Sequence, residues 1–413
     1  MRLAIVRQRY TPFGGAERFI ENALEALLER NVAISLYTRE WPETSVQLME
    51  PQIVDPFHVG RLWRDAGFAF AVCRKIRRAQ PELVQSHERL LCCDVFRAGD
   101  GVHAVWLEER GKDRGAFARL ATTASPYHRY VLRKERALFA SPSLAAVICN
   151  SNMVRDEIKL RFGVADAKLR VVYNAVDANV FSPALREYRG AVREHHGIPA
   201  DALVFLLVGS GYERKGVIAA IDALALLPPH AHLIVVGRES RLRPYVSHAR
   251  HRAVLSRLTF AGPQQDPKPY YGAADAFVLP TLYDPLPNAA LEAMACALPI
   301  VTSTKSGVAE LVIGAGAGFV CDARDSAALA AHMRTLEDGA MRESMGAHAR
   351  KAVLPLSPPA MTLQLVLLYK ELLEASVASR RAAKSRAMNR KPLGSSADRR
   401  SASPQQGGDA DAS

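Results

Sequence analysis

Apolar and polar positions along this chain follow two alternating patterns. Short apolar runs, which are typical of buried strands, are followed by segments in which apolar residues recur at helical spacing. The first unit shows this clearly, with a predicted strand at 3–6, a turn at Gly14-Gly15 and a predicted helix over 16–28. Because the alternation continues from end to end, it predicts parallel sheets built from βα units.

The same pattern predicts two α/β domains with a C-terminal appendage. In the first half, further strands are expected at 32–38, 83–86, 145–150 and 169–173. In the second half, strands are expected at 203–208, 233–236, 258–261, 276–280 and 300–303, with helices over 216–227 and from Pro287. We therefore predict a first domain at 1–190, a second domain at 191–358, an amphipathic helix at 359–378 and a disordered basic tail at 379–413.

The composition is that of a soluble globular protein. Of the 413 residues, 49% are hydrophobic and 23% are charged, which excludes collagen-like, coiled-coil and wholly disordered chains. No uninterrupted run of about 18 apolar residues occurs, and charge appears early, at Arg7, so a membrane helix and a signal peptide are not predicted. We expect a cytoplasmic protein whose six scattered cysteines are buried, reduced thiols.

The formal net charge of +12 is unevenly placed. Residues 61–136 hold 16 basic and 9 acidic side chains, and residues 379–413 hold 8 basic and 3 acidic ones, so these segments carry the whole excess. Such a patch attracts nucleic acid, an acidic lipid surface or a phosphorylated substrate. Nucleic acid is disfavoured because the basic stretch has no RNP, zinc-finger or recognition-helix signature. We expect the first domain to make a peripheral contact with anionic membrane, the alternative being solvated helix faces.

The strongest local signal lies at 281–299. Asp284 follows a predicted strand, and Pro287 suits the first position of a helix. The amides of residues 288–290 would then form a helix N-terminus that binds phosphate, and Glu292, about one turn later, can accept hydrogen bonds from ribose hydroxyls. The alternative is that Asp284 caps the helix and Glu292 is a solvated helix residue. The predicted binding residues of this block are Asp284, Pro287, Asn288, Ala289 and Glu292.

A glycine-bearing segment, 209–216, follows the first predicted strand of the second domain. Its glycines, on either side of Ser210, allow a ligand to approach the backbone. Arg214 and Lys215 stand at the head of a predicted helix and could neutralise a diphosphate leaving group. Cations at a helix N-terminus oppose the helix dipole, so Arg214 and Lys215 are unfavourably placed if their role is purely structural. This favours a role in binding an anion.

Two loops of the first domain carry weaker signals. Gly14 and Gly15 resemble a phosphate-binding turn but match neither GxGxxG nor GxxxxGK[ST]. The run 93–103 places Asp100 and His103 in a glycine-bearing loop, where they could supply a base or orient an acceptor. A plain turn with solvated polar side chains is the alternative.

Metal ligands have no convincing pattern in the sequence. Its one Asp-x-Asp run is Asp409-Ala-Asp411, in the predicted disordered tail. The histidine pairs at 230/232 and 248/251 lack a nearby Cys or carboxylate pattern, which favours surface histidines. We predict neither a metal nor a cofactor.

Taken together, these motifs resemble the retaining glycosyltransferases of family 4, over about residues 1–375. The motifs concerned are Gly14-Gly15-Ala-Glu17, Asn174-Ala-Val-Asp177, the segment 209–216 and the block 281–302. In the family, that block carries Glu-x7-Glu and then Ala-Met-Ala-x-Gly-x-Pro; here the first Glu is Asp284 and the Gly is Ala297. The resemblance implies the α/β fold called GT-B, with two Rossmann-like domains facing across a cleft and a C-terminal helix returning to the first domain.

Several runs look closer still to the lipopolysaccharide core glucosyltransferases, which add glucose to an inner-core heptose. They are His87-Glu88-Arg89, the run 93–103 and Trp106-Leu-Glu-Glu-Arg110. This similarity implies a nucleotide-sugar donor, usually UDP-linked, and a lipid-linked saccharide acceptor. It also implies that no metal is needed, because Arg214 and Lys215 neutralise the diphosphate.

The resemblance assigns roles to the candidate residues. The diphosphate would lie between Arg214, Lys215 and the amides after Pro287, the ribose on Glu292 and the base near 260–264. Asp284 would contact the donor sugar, while Gly14 and Gly15 close over the donor. Asp100 is the candidate for receiving or orienting the acceptor proton, with His103 second. Retention of the anomeric configuration is implied by the resemblance alone.

Other activities are compatible with the same motifs. A family 4 transferase could use GDP-mannose to build another surface polysaccharide. A GT-B sugar-nucleotide epimerase and an inactive family member that only binds are further alternatives.

Overall fold

The structure is a computed structural model that describes residues 2–9, 33–40 and 51–389. Met1–Tyr369 form one compact unit and Lys370–Ser413 a second. The predicted Gly14-Gly15 turn and the predicted helix over 16–28 lie outside the described residues, as does the segment 390–413.

A parallel sheet of seven strands underlies the first domain. Its strands are β1 (Arg2–Val6), β2 (Ala33–Thr38), β3 (Gln52–Ile53), β4 (Leu83–Ser86), β5 (Val95–Arg97), β6 (Ala146–Cys149) and β7 (Leu169–Val171). They are ordered β3-β2-β1-β4-β5-β6-β7, and Leu3 of the central β1 pairs with Ile34 on one side and Leu83 on the other. The predicted strands are confirmed, whereas β3 and β5 are additions that the sequence pattern did not reveal.

Helices lie between β3 and β4, between β5 and β6, and between β6 and β7, whereas β4 passes to β5 without a helix. They are α1 (Gly60–Ala79), α2 (His103–Lys112), α3 (Ala116–Ala124), α4 (Pro126–Phe139) and α5 (Asn152–Phe162). Helix α1 is amphipathic because Phe68, Val72 and Ile76, spaced four residues apart, are buried. Helix α5 begins where the Ser151 side chain accepts a hydrogen bond from the Val154 amide.

The second domain contains a parallel sheet of six strands. They are β8 (Leu203–Val208), β9 (Ala231–Val236), β10 (Leu258–Gly262), β11 (Ala276–Leu279), β12 (Ile300–Ser303) and β13 (Gly318–Cys321). Their order is β10-β9-β8-β11-β12-β13. Continuous apolar runs such as Leu203–Val208 form central strands because both faces of a parallel sheet are covered. The sequence pattern predicted all of these strands except β13.

Short helices connect the strands of the second domain. After a 3₁₀ helix at Pro183–Tyr188 come α6 (Arg189–His195), α7 (Tyr212–Lys215), α8 (Val217–Ala225), α9 (Arg243–His251), α10 (Lys268–Ala273), α11 (Asn288–Ala295), α12 (Ala309–Ala315), α13 (Ser326–Thr335) and α14 (Gly339–Val353). Residue 190, the expected domain boundary, lies in α6, between the two sheets. The helix predicted over 216–227 is preceded by the separate turn α7.

The C-terminal helix α15 (Pro358–Asn389) returns to the first sheet, as the resemblance implied. The Tyr369 hydroxyl donates a hydrogen bond of 2.5 Å to Oε1 of Gln85, on β4. The helix continues to Asn389, past residue 378, where the sequence predicts the basic tail to begin.

One helical stretch, Gly339–Ala375, has the length and composition of a membrane span. Helices of a protein core meet the same criterion, and Met361, Leu365 and Tyr369 of this stretch are buried in the fold. The stretch is also interrupted between α14 and α15. We therefore assign these three residues to the core, whereas Leu354, Leu363 and Leu367 of the same stretch are exposed.

The cysteines correct one prediction. Cys73 on α1 and Cys92 in the loop after β4 form a disulfide bond, whereas both were expected as reduced thiols. Sequence spacing did not reveal the pairing because the two residues meet only when α1 packs beside that loop. Cys93, Cys149, Cys296 and Cys321 are free and buried, as predicted.

Candidate active site

The candidate site lies at the carboxyl edge of the second sheet, between β8 and β11. The strand order reverses at this point, and parallel α/β sheets bind ligands at such a crevice. The loops that follow the two strands touch here: Gly216 has φ of +72°, and a Cβ at this residue would overlap the carbonyl oxygen of Pro280. Glycine is therefore required for the segment 209–216 to lie against the loop after β11.

Lys215 and Asp284 form a buried ion pair at the centre of the site. Lys215 Nζ donates to Oδ2 of Asp284 at 2.6 Å, and both side chains are 8% exposed. Burial raises the pKa of Asp284, but Lys215 and Arg214 outweigh that effect and hold the pKa below its ordinary value. Burial lowers the pKa of Lys215 against the opposing influence of Asp284. The pair thus places a fixed cation and a fixed carboxylate side by side.

Arg214 is the more accessible cation, with a side chain that is 40% exposed. Its Nη1 lies 3.6 Å from Oδ2 of Asp284. Its carbonyl oxygen accepts hydrogen bonds from the Leu282 amide at 2.8 Å and from the Thr281 hydroxyl at 2.7 Å. The backbone of Arg214 is therefore fixed while its guanidinium faces solvent.

Helix α11 begins beside this pair. Pro287 is its N-cap and provides no side-chain hydrogen bond, so the amides of Asn288 and Ala289 open the helix, where N–H groups have no intrahelical acceptor. The Ala290 amide donates to the Pro287 carbonyl at 3.0 Å. The prediction of a free amide at Ala290 is therefore wrong, and the amides of Asn288 and Ala289 remain the predicted anion-binding groups.

Glu292 is buried, with 6% of the residue exposed. Its Oε2 accepts a hydrogen bond of 2.6 Å from the Tyr271 hydroxyl. The alternative interpretation, a solvated helix residue, is therefore wrong. Nearby, Ala297 has φ of +57°, a left-handed conformation at the position where the family motif has glycine.

Ser210 and the predicted base-binding segment 260–264 flank the same edge. Ser210 Oγ accepts a hydrogen bond of 3.0 Å from the Arg238 amide. Phe260 stacks on Tyr212 with ring centroids 6.0 Å apart, and Gln264 Nε2 donates to the Ala261 carbonyl at 2.6 Å. These contacts fix the backbone of three successive loops at the carboxyl edge.

The corresponding edge of the first sheet holds looser polar contacts. Arg7 Nη1 lies 3.7 Å from Oε1 of Glu88 and 3.9 Å from Oδ2 of Asp100. Burial raises the pKa of Glu88, although Arg7 opposes the shift. Asp100 has a side chain that is 68% exposed, so it is open to solvent.

His103 begins helix α2, and Val95–Arg97 is strand β5. The expectation that 93–103 is a single loop is therefore wrong: the apolar pair Val95-Phe96 joins the sheet, and a loop remains only around Asp100. His103 Nε2 lies 3.1 Å from His128 Nδ1. Burial, with Arg89 and His128, lowers the pKa of His103 to about 3, so the imidazole is neutral near pH 7.

Three residues that sequence reasoning missed connect the two edges. Buried Arg97 donates from Nη2 to Oδ1 of Asn174 at 2.6 Å, and Nδ2 of Asn174 donates to Oδ1 of Asn288, also at 2.6 Å. Tyr283 accepts a hydrogen bond of 2.8 Å from the Val102 amide. Two features of the sequence could have indicated these contacts. Asn174 belongs to the motif Asn174-Ala-Val-Asp177, and Tyr283 directly precedes Asp284.

A cavity of about 530 Å³ opens beside Arg214. Helix α2 contributes Trp106 and Arg110 to its wall, and the second domain contributes Glu213 and Tyr245. Arg110 Nη2 lies 3.0 Å from Oε2 of Glu213. The volume is that of an ordinary small-molecule site. Across the part of the chain that the structure describes, no cluster of three or more His, Cys, Asp or Glu side chains could hold a metal ion.

Comparison with known families identifies the fold and the class of protein. Residues 13–180 match the family described as Glycosyltransferase Family 4, and residues 189–352 match Glycosyl transferases group 1. The chain is a glycosyltransferase with these two family domains. The two matched segments fall within the two sheet-containing halves of this glycosyltransferase, and strand β1 precedes the first of them.

Two known proteins are similar in sequence to this glycosyltransferase. A probable transglycosylase of Burkholderia thailandensis is 27% identical, covering 82% of this chain and 88% of the relative. The lipopolysaccharide glucosyltransferase WaaG of Escherichia coli K12 is 23% identical over 78% of this chain and 85% of its own.

Solved structures agree with the fold. The WaaG crystal structure superposes with a TM-score of 0.75 at 22% identity, over 87% of this chain and 98% of that one. Anabaena HepE, solved in complex with UDP and glucose, superposes with a TM-score of 0.68 at 19% identity, over 90% and 100% of the chains. The GT-B fold expected from the sequence is confirmed.

Proposed function

We propose that this glycosyltransferase transfers glucose from UDP-glucose, with retention of the anomeric configuration, to the heptose region of a lipopolysaccharide inner core. The observation that carries the proposal is the buried Lys215–Asp284 pair beside the N-terminus of α11, at the switch point of the second sheet. The similarity to WaaG, a lipopolysaccharide glucosyltransferase, and to HepE, solved with UDP and glucose, supports the sugar and the nucleotide.

The donor occupies the second domain in this proposal. Lys215 Nζ can make three hydrogen bonds, and only one is directed at Asp284, so it can also donate to the β-phosphate. Arg214 and the amides of Asn288 and Ala289 complete the diphosphate site. Buried Glu292 accepts from the ribose hydroxyls, which requires its bond with Tyr271 to rearrange or be shared.

The chemistry is a displacement at the sugar C1. The C1–O bond to the β-phosphate breaks, a C1–O bond to the acceptor hydroxyl forms, and the acceptor proton leaves. Negative charge grows on the leaving phosphate, where Lys215 and Arg214 stabilise it more in the transition state than in the ground state. Asp284 faces the donor sugar, and retention follows from the resemblance to the family.

The acceptor approaches from the first domain. Asp100 is exposed and receives or orients the proton of the acceptor hydroxyl. His103 is the weaker candidate, because its Nε2 already contacts His128. Gly14 and Gly15, outside the described residues, close over the donor in this proposal.

The acceptor is attached to a lipid, and the first domain has a surface that suits a membrane. Basic side chains of α1 and α4 are exposed; they are Arg74, Lys75, Arg77, Arg78, Arg129, Arg133 and Arg136. Large apolar side chains Phe57, Phe70 and Phe117 are also exposed in this part of the chain. Cations attract an anionic bilayer and aromatic rings anchor at its interface, so we propose reversible peripheral binding to the cytoplasmic face of the membrane.

Release of UDP tests the function. Purified protein is given UDP-glucose or GDP-mannose, with and without a heptose-containing lipopolysaccharide core, and the glycosidic product is examined by NMR. We expect acceptor-stimulated UDP release from UDP-glucose and an α-linked glucose. Preference for GDP-mannose would overturn the donor, an acceptor-free epimer would indicate an epimerase, and binding without turnover an inactive member.

Chelation tests whether the reaction needs a metal. The prediction from the sequence is that EDTA leaves turnover intact because positive side chains neutralise the diphosphate. Loss of turnover that manganese or magnesium restores would contradict it.

Sedimentation with vesicles tests the membrane contact. We expect binding to anionic vesicles at low salt that is weakened in the triple variant Arg74→Ala/Arg77→Ala/Arg78→Ala, since each basic group near such a surface contributes about 1 kcal/mol. The variant retains the basic C-terminal tail, which serves as its internal control. Equal binding of both proteins would show that basic residues outside α1, on α4 or in the tail, hold the membrane.

A further inference from the structure

A tyrosine hydroxyl joins the loop that carries Asp100 to the loop that carries Asp284. Tyr283 belongs to the second domain by sequence, yet it is 2% exposed and lies in the hydrophobic core of the first domain. Its hydroxyl accepts a hydrogen bond from the Val102 amide and donates one to Oε2 of Glu157, on α5, both at 2.8 Å. The phenol is thus held entirely by first-domain groups.

The backbone at Gly101 lies directly on this phenol. Gly101 has φ of +70°, and a Cβ added there would overlap the Tyr283 hydroxyl and lie 2.7 Å from Cγ of Pro285. The chain next to Asp100 is therefore in van der Waals contact with both neighbours of Asp284.

The backbone of Asp284 is fixed from its other side as well. Its amide donates to the Lys305 carbonyl at 2.9 Å, and its carbonyl accepts from the Gly307 amide at 2.8 Å. Lys305 Nζ in turn lies 3.0 Å from Oε1 of Glu157. Glu157 therefore contacts Tyr283, which precedes Asp284 in the chain, and Lys305, whose carbonyl accepts the hydrogen bond from the Asp284 amide.

We propose that Tyr283, held by Glu157, is a positioning residue that sets the acceptor-side loop 98–103 against the donor-side carboxylate Asp284 and couples acceptor binding to transfer. The inference rests on the proposed function, in which the donor occupies the second domain and the acceptor the first. Tyr283 touches neither reacting group, so its effect on the reaction passes through the two loops.

Tyr283→Phe removes the hydroxyl and keeps the ring. We expect acceptor-dependent glucose transfer to fall about tenfold, as one buried hydrogen-bonded anchor is lost, while UDP affinity and acceptor-free hydrolysis of UDP-glucose stay unchanged. Tyr270→Phe is the matched control, because Tyr270 is also a buried tyrosine, and its hydroxyl lies 3.4 Å from His196, away from the loop 98–103.

Variants at Glu157 test the partner of the hydroxyl. Glu157→Gln keeps an oxygen that can accept from Tyr283 and should keep acceptor-dependent transfer, whereas Glu157→Ala should lose it as Tyr283→Phe does. Because Glu157 also pairs with Lys305, Glu157→Ala should lose at least as much transfer as Tyr283→Phe, and the double variant should be no worse than Glu157→Ala. If Tyr283→Phe does not fold, the two Glu157 variants still test whether this contact supports acceptor-dependent transfer.

A readout without substrates separates this inference from the proposed function. In Tyr283→Phe, amide hydrogen exchange should accelerate in the segment 98–107 and remain unchanged at 203–216. If exchange changes as expected and no sugar donor is turned over, the proposed function fails, while the positioning of the loop 98–103 by Tyr283 stands. Unchanged exchange at 98–107, or an equal fall in UDP affinity and transfer, would overturn the inference.

Discussion

Equivalent edges of the two sheets differ in how their charges are held. At the second sheet, Lys215 and Asp284 are buried and 2.6 Å apart. At the first sheet, Arg7 lies 3.7 Å from Glu88 and 3.9 Å from the exposed Asp100. Charges that are fixed before the ligand arrives need little reorganisation during the reaction, whereas an exposed carboxylate such as Asp100 can adjust to the ligand. The fixed edge suits a diphosphate of constant shape, and the looser edge suits a variable saccharide.

The largest effect is expected from breaking the fixed pair. Lys215→Met should lower kcat about 10²-fold, because one cation facing a developing oxyanion is lost. It should also lower the free energy of unfolding by about 3 kcal/mol, because Asp284 stays buried without its partner. Steady-state UDP release and urea unfolding measure the two effects.

A double variant separates catalysis from stability. Lys215→Met/Asp284→Asn removes both charges, so most of the lost unfolding free energy should return, while turnover stays low. Recovery of turnover in the double variant would show that Lys215 acts only by neutralising Asp284.

Arg214→Ala should have a smaller effect on turnover and almost none on stability. The side chain is exposed and contacts Asp284 only at 3.6 Å, so we expect kcat to fall about tenfold and the free energy of unfolding to stay within about 0.5 kcal/mol. Arg241→Ala is the control, because Arg241 lines the same cavity and should leave kcat unchanged. Equal losses in both variants would show a general charge effect.

Glu292→Gln should weaken UDP binding without a selective effect on kcat. A carboxylate that accepts ribose hydrogen bonds acts on the ground and transition states alike, and losing a charged acceptor should raise the UDP Kd about tenfold. Calorimetric titration of UDP measures it. Tyr271→Phe, which removes only the hydroxyl that bonds Glu292, serves as the control, and an unchanged Kd in Glu292→Gln would remove the ribose assignment.

The smallest effect concerns acid stability at the first-domain edge. The folded pKa of His103 is lowered to about 3, while an unfolded histidine has a pKa near 6.5. Below about pH 6.5 the unfolded chain binds a proton at His103, whereas the folded protein does not. The free energy of unfolding therefore falls as the pH falls below about 6.5. His103→Gln should reduce the loss between pH 7 and pH 5 by about 1 kcal/mol, measured by urea unfolding. An identical pH dependence of unfolding in both proteins would contradict the lowered pKa.

Most of the scaffold follows from apolar patterning, and the site follows only in part. Strands such as Leu203–Val208 are unbroken apolar runs, whereas β5 escaped prediction because it contains Arg97, whose partner Asn174 is distant in sequence. The motif around Asp284 indicated an anion site. Sequence could not show that Asp284 is paired with Lys215, or that Tyr283 enters the other domain's core, because both facts depend on how separate elements pack.

The most direct test compares two variants from the two edges in transfer and in hydrolysis. For wild type, Lys215→Met and Asp100→Asn, UDP release from UDP-glucose is measured with and without the lipopolysaccharide core acceptor. We expect Lys215→Met to lose both activities, and Asp100→Asn to lose acceptor-dependent transfer while hydrolysing UDP-glucose like wild type. Equal loss of hydrolysis in Asp100→Asn, or normal hydrolysis in Lys215→Met, would contradict the division into a fixed donor edge and an adjustable acceptor edge.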